Sequence, residues 1–121
     1  MAVNADFLAF LEDLLRGLGR ITWRRMFSGA SLYCDGVIFA LVLRDTLYFK
    51  VDDGNRRAYE AEGLEPFTYE AAGQTRTIGA YWRVPERLFD DPDEMGEWAR
   101  AAVAVGRRAA AEKRPKRRPR R

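Results

Sequence analysis

Residues 24–55 read RRMFSGASLYCDGVIFALVLRDTLYFKVDDGN and hold the longest unbroken apolar run of the chain, Val37 to Leu43. Asp35-Gly36 stands directly before that run. Such a pair between two β-prone segments is the strongest short-range hairpin signal, because both central positions of a type I′ turn need φ > 0. The spacing predicts three consecutive antiparallel strands, Ser31 to Cys34, Val37 to Leu43 and Leu47 to Val51, with Arg44, Asp45 and Thr46 in the second turn. Seven apolar residues in a row suit a strand covered on both faces, which places the second strand between the other two. Leu47, Phe49 and Val51 alternate with Tyr48 and Lys50, giving the third strand one core face and one polar face.

Upstream, Asn4 is the expected N-cap of a helix whose apolar face is Phe7, Phe10, Leu11, Leu14, Leu15 and Leu18, ended by Gly17 and Gly19. Ile21 to Phe27 has a β-like pattern and is a candidate fourth strand, feeding the central element through Ser28-Gly29. Downstream, Asp52-Asp53-Gly54-Asn55 carries helix-start chemistry, and Arg56 to Glu62 reads as a short helix stopped by Gly63. Phe67-Thr68-Tyr69 and Thr75 to Val84 are expected to form a further hairpin of the same sheet, turned by Ala72-Gly73. Asp91-Pro92-Asp93-Glu94 is a near-complete helix start. Met95, Trp98, Ala99, Ala102 and Val103 then form the apolar face of a last helix. The expected class is α+β: a single domain, residues 1–106, with an antiparallel sheet of five or six strands flanked by N-terminal and C-terminal helices.

Net charge is +3 over 121 residues, but it is unevenly divided. Residues 1–106 carry 12 basic and 17 acidic side chains and sum to −5, whereas residues 107–121 carry nine Lys or Arg and one Glu and sum to +8. The tail is expected to be an unfolded basic arm, helical at most to Ala111. Cys34 is the only cysteine, so no intramolecular disulfide can form and a reducing cytoplasm is the expected setting. No apolar stretch approaches the roughly 20 residues of a membrane span, and the N-terminus lacks the pattern of a signal peptide.

The chain contains no histidine, which removes Ser-His-Asp and Cys-His catalysis together with imidazole metal sites. Cys34 has only Asp35 as an ionisable neighbour in sequence, and a negative neighbour disfavours the thiolate. The acidic residues Asp90, Asp91, Asp93, Glu94 and Glu97 do not follow calcium-loop spacing and are explained as helix-start charge. No cofactor and no metal is expected.

Arg24 and Arg25 are adjacent on a predicted strand, so one of them points to the helix-covered side. That Arg either lines a pocket for an anionic group, or packs its stem while its head reaches the rim. Phe27, Gly29, Tyr33 and Lys50 join these two as candidates for partner or anion contact. In the tail, Arg107, Arg108, Lys113, Arg114, Lys116, Arg117, Arg118, Arg120 and Arg121 form a polycation expected to bind nucleic acid without sequence readout.

The central stretch also resembles a known family, the N-terminal domain of the TfoX/Sxy competence regulators. The likeness lies in Arg24 to Gly29, Leu32 to Leu41, Leu47 to Asp52, Pro66 to Tyr69, Tyr81 to Pro85, Asp91 to Glu94 and Trp98-Ala99, and it spans residues 6 to 106. Where the family has a Gly-Gly-Tyr-Gly-like turn, this chain has Ser28-Gly29-Ala30-Ser31. The resemblance implies an α+β domain without catalytic residues. It also implies regulation of DNA-uptake genes together with a transcription factor, a cyclic-AMP receptor protein. Full-length members carry a second, C-terminal domain, so this chain is expected to be a stand-alone version.

The expected function is a non-enzymatic regulatory module that binds a transcription-factor partner, with nonspecific nucleic-acid affinity from the tail. A small anionic-ligand sensor built on Arg24 or Arg25 is the alternative. An enzyme would need Asp and Glu pairs lining a cleft. The sequence does not fix the oligomeric state.

Overall fold

A computed structural model describes residues 5–26 and 29–113. Helix α1 (Ala5–Leu14) runs into a 3₁₀ turn (Arg16–Leu18) and then strands β1 (Ile21–Met26), β2 (Gly29–Cys34), β3 (Val37–Leu43) and β4 (Thr46–Lys50). Helix α2 (Arg56–Ala61), strands β5 (Pro66–Ala71) and β6 (Gln74–Arg83), a 3₁₀ turn (Glu86–Asp90) and helix α3 (Pro92–Lys113) complete the described chain. The six strands form one antiparallel sheet in the order β1-β2-β3-β4-β6-β5. The α+β class, the central place of Val37 to Leu43 and the second hairpin are all as the sequence predicts.

Three two-residue turns build the sheet. Asp35 and Gly36 have φ of 50° and 86°, and Ala72 and Gly73 have φ of 52° and 77°. The middle turn does the same with Arg44 and Asp45, at 52° and 62°. Thr46 is already paired with Leu43, so the third strand starts one residue earlier than expected. Between Leu32 and Tyr33 the register shifts, leaving Phe39 as an extra residue opposite β2. Such a bulge turns two successive side chains toward one face, and Phe39 and Ala40 are both fully buried.

One face of the sheet is covered by α1 and α3. It carries Ala30, Leu32, Ala40, Val42, Leu47 and Phe49, which meet Leu8, Leu11, Met95, Ala99 and Ala102 in a single core. The N-terminal helix presents most of the expected face, with Phe7, Leu14 and Leu18 packed against the core, but Leu8 joins it and Phe10 leaves it. Leu8, Leu11 and Leu15 are buried, each contributing about 1.5–3 kcal/mol, whereas Phe10 is 45% exposed. Phe10 instead gathers with Phe7 and Phe89 on the surface, with ring centroids 6.2–6.4 Å apart. Asn4 lies outside the described residues.

The short-helix caps are also corrected. Asn55 donates to the Lys50 carbonyl and accepts from the Asp52 amide, and Asp52 accepts from the Gly54 amide, so both residues tie the loop rather than cap α2. The start of α3 is as read: the Glu94 amide donates to the Asp91 carboxylate at 3.1 Å.

The last helix does not stop at Gly106. It continues to Lys113, two residues past the Ala111 limit expected for it. Gly106 is a contact glycine, not a terminator: a Cβ there would lie 2.3 Å from the Ile38 carbonyl oxygen. Its absence lets α3 press against β3. Among the described residues, no helix is long and apolar enough to cross a membrane.

Gly106→Ala is expected to lower stability by about 1–3 kcal/mol through overpacking, although Ala is the better helix former by about 1 kcal/mol. Gly96→Ala, on the same helix with only Arg100 atoms 3.5–3.9 Å from the added carbon, should raise stability by about 0.5–1 kcal/mol. Urea unfolding of the two variants measures the opposite signs.

Candidate functional site

Residues directly paired across antiparallel strands share a face, so the register defines the side of the sheet that α1 and α3 leave uncovered. One row runs Arg24, Ser31, Leu41, Tyr48, Arg83 across five strands. A second contains Thr22, Tyr33 and Ile38, and Lys50 pairs with Tyr81 on the far side of β3. On the outer hairpin, Phe67 pairs with Ile78 and Tyr69 with Arg76. The Tyr48 ring meets Phe67 edge-on at 5.0 Å, which sets that hairpin's aromatic side toward the same open face.

The face is lined with phenol and guanidinium contacts. Arg24 lies over the Tyr33 ring at 5.7 Å, and the Ser31 hydroxyl donates to the Tyr33 hydroxyl at 3.2 Å. Lys50 Nζ sits 4.6 Å from the centre of the Tyr81 ring and donates to its hydroxyl at 3.3 Å. A cation over an aromatic ring gains most when both are out of water, and Lys50 and Tyr81 are both buried. The Tyr81 phenol is pushed up to about 12, first by burial and then by the neighbouring Tyr33. Beside this cluster, Leu41, Tyr48, Phe67, Tyr69 and Ile78 line a groove of about 800 Å³ with Arg44 and Glu70 at its margin.

The sequence-predicted candidates divide. Arg24, Tyr33 and Lys50 meet on the open face. Arg25 points to the helix side at the sheet edge, yet it is exposed and lies 5.4 Å over the Trp23 ring, so neither arginine enters a closed anion pocket. Gly29 is a packing residue, since a Cβ there would be 2.1 Å from the Val42 carbonyl oxygen. Phe27 lies outside the described residues. The aromatic members Tyr48, Phe67, Tyr69 and Tyr81 were missed as site residues. Their signal was present as alternation in β4 and β5, but it becomes a surface only when the two hairpins join through β4 and β6.

Of the basic candidates, Arg108 holds Asp52 with two hydrogen bonds of 2.9 and 3.0 Å, and Arg107 stands 3.9 Å from Asp35. Arg108 therefore belongs to the docking of α3 on the body. The backbone of Lys113 ends that helix; Arg114, Lys116, Arg117, Arg118, Arg120 and Arg121 lie outside the described residues.

The remaining chemical groups are structural. Cys34 is fully buried, and burial followed by the Asp35 charge pushes its thiol up, the wrong direction for a nucleophile. Arg87 bridges Glu62 and Glu94, and its hydrogen bond holds the Glu94 carboxyl below the usual range. Tyr59 is buried against Trp82 and Trp98, and burial pushes its phenol far up. Among the described residues no group of three or more His, Cys, Asp or Glu is placed to hold a metal ion.

The family model of the TfoX N-terminal domain matches residues 13–106. No curated protein matches the chain.

The raised Tyr81 phenol has a consequence for stability. The native state retains this proton more tightly than the unfolded chain, so its contribution is present below pH about 10 and is lost as pH rises through about 12. Between pH 9 and 11, wild type should lose about 1 kcal/mol more stability than Tyr81→Phe. Urea midpoints across that range give the comparison.

Proposed function

The chain belongs to the TfoX N-terminal domain family, and from that premise we propose that it is a non-enzymatic regulatory module of the competence-regulator kind. Its folded body binds a transcription-factor partner, and its C-terminal basic segment adds nucleic-acid affinity that does not depend on base sequence. The observation that carries the nucleic-acid part is the division of charge, −5 over residues 1–106 against +8 over residues 107–121. A polycation of that density releases counterions from a phosphate backbone on binding.

Arg108 is held by Asp52 through two hydrogen bonds, so Arg107 and the cations beyond Lys113 supply most of the phosphate contacts. Absence of histidine supports the non-enzymatic reading. The exposed ring of Phe10 and the half-buried rings of Phe7 and Phe89 form a surface patch bordered by Asp6, Asp45 and Glu86, which supports docking of a protein that offers an apolar anchor and basic neighbours.

Anisotropy titrations with duplex DNA over a range of salt test the nucleic-acid part. Replacing Lys116, Arg117, Arg118, Arg120 and Arg121 by Gln should reduce the log-log salt slope by up to about 4.5, at roughly 0.9 per lost duplex contact; an unchanged slope contradicts it. For the partner, Phe10→Ser should weaken co-purification with a cyclic-AMP receptor protein about tenfold or more, as expected for loss of an interface anchor. Equal recovery removes the patch from the interface.

A further inference from the structure

We propose that the open face of the sheet is a stacking platform for single-stranded nucleic acid. The proposal does not depend on the basic C-terminal segment; it rests on how the register sorts side chains. The open-face positions carry four accessible or half-buried aromatic rings, Tyr33, Tyr48, Phe67 and Tyr69, together with Arg24, Arg76 and Arg83, while Lys50 and Tyr81 on the same face are buried. Among the described strand positions, none on that face is Asp or Glu. That sorting occurs in a body that is acidic overall.

The geometry fits the chemistry of unpaired bases. Phe67 and Tyr69 lie stacked at 6.0 Å with their planes 17° apart, and Tyr69 is 41% exposed. Such rings offer flat apolar surface to a base, and the pairing is tolerant of base identity because each base has a π face. Arg24 and Arg83 stand at opposite ends of the transverse row, and Arg76 lies beside Tyr69. Arg24 and Arg76 are exposed. Arg83 has Glu86 at 3.9 Å, but both are exposed, and such a pair is worth little against a phosphate. The one carboxylate at the groove, Glu70, accepts from the Thr75 hydroxyl at 2.7 Å.

Four strand spacings separate Arg24 from Arg83, on the order of 19 Å. Tyr33 and Tyr48 lie between them, and Phe67 and Tyr69 lie one strand further out on β5 beside Arg76, so a backbone crossing the face can touch cations along its path while its bases lie on these rings. A duplex, whose bases are already stacked and paired, cannot use those rings. An acidic protein segment would satisfy the cations and leave the aromatics unused.

The test uses the full chain and fluorescein-labelled oligomers of about 12 nucleotides. Oligo-dT, oligo-rU, a mixed duplex and a polyglutamate peptide are the four probes. Tyr69→Ala should weaken oligo-dT or oligo-rU about tenfold and leave the duplex unchanged, and Tyr69→Phe should bind like wild type. Replacing Arg24, Arg76 and Arg83 by Ala should lower the single-strand salt slope by about 2, at roughly 0.7 per contact. The relative affinity for dT and rU assigns the source as DNA or RNA.

The proposal is overturned if Tyr69→Ala and the triple-arginine variant both bind single strands as wild type does. It is also overturned if polyglutamate binds as tightly as oligo-dT and Tyr69→Ala weakens neither. Neutralising the five C-terminal cations acts on duplex and single strand alike, whereas Tyr69→Ala acts on single strands alone, so the two readings fail separately.

Discussion

The structure depends on covering one strand on both of its faces. Val37 to Leu43 brings seven apolar side chains in succession, and a period of two sends them to both sides of the sheet. The helices answer for one side. Gly106 lets the backbone of α3 approach the Ile38 carbonyl, and the bulge at Phe39 adds one more ring to that core. The other side has no helix, so Leu41 is buried by its own sheet: by Tyr48 across the hairpin, and by the outer hairpin with Phe67 and Ile78 at the groove. The aromatic lining of the open face follows from that requirement.

Polar groups share the same face because its neighbours are strand residues rather than a second apolar layer. Lys50 lies where Tyr81 offers a π face and a hydroxyl, and Arg24 lies over Tyr33. The face can remain positive within an acidic body, and a structural solution becomes a surface suited to polyanions.

Much of this was legible in the residues. Asp35-Gly36 fixed a hairpin because few sequences satisfy two positive φ values, and Asp91-Pro92-Asp93-Glu94 marked a helix start through a cap that forms as expected. The turn at Arg44-Asp45 adopts the same conformation without glycine, so its type could not be read from composition. The role of Gly106 was not legible, since a glycine that admits a neighbouring strand has no signature until the neighbour is known. Phe10 misled because one turn of α1 offers two overlapping apolar faces, and only docking on the sheet selects Leu8 beside Leu11 and Leu15. The candidate site was half legible: Arg24, Tyr33 and Lys50 lie in the decisive stretch, while Tyr69 and Arg76 join them only through the β4–β6 pairing.

The family supplies a regulatory frame, and the sheet supplies a surface whose chemistry is more specific than that frame. The most direct measurement is a titration of isotopically labelled full-length protein with oligo-dT, followed residue by residue through its amide resonances. The account requires the largest shifts at Arg24, Tyr33, Tyr48, Tyr69 and Arg76, on five strands that share the open face. Shifts confined to residues 107–121, with the sheet unmoved at saturation, would contradict it.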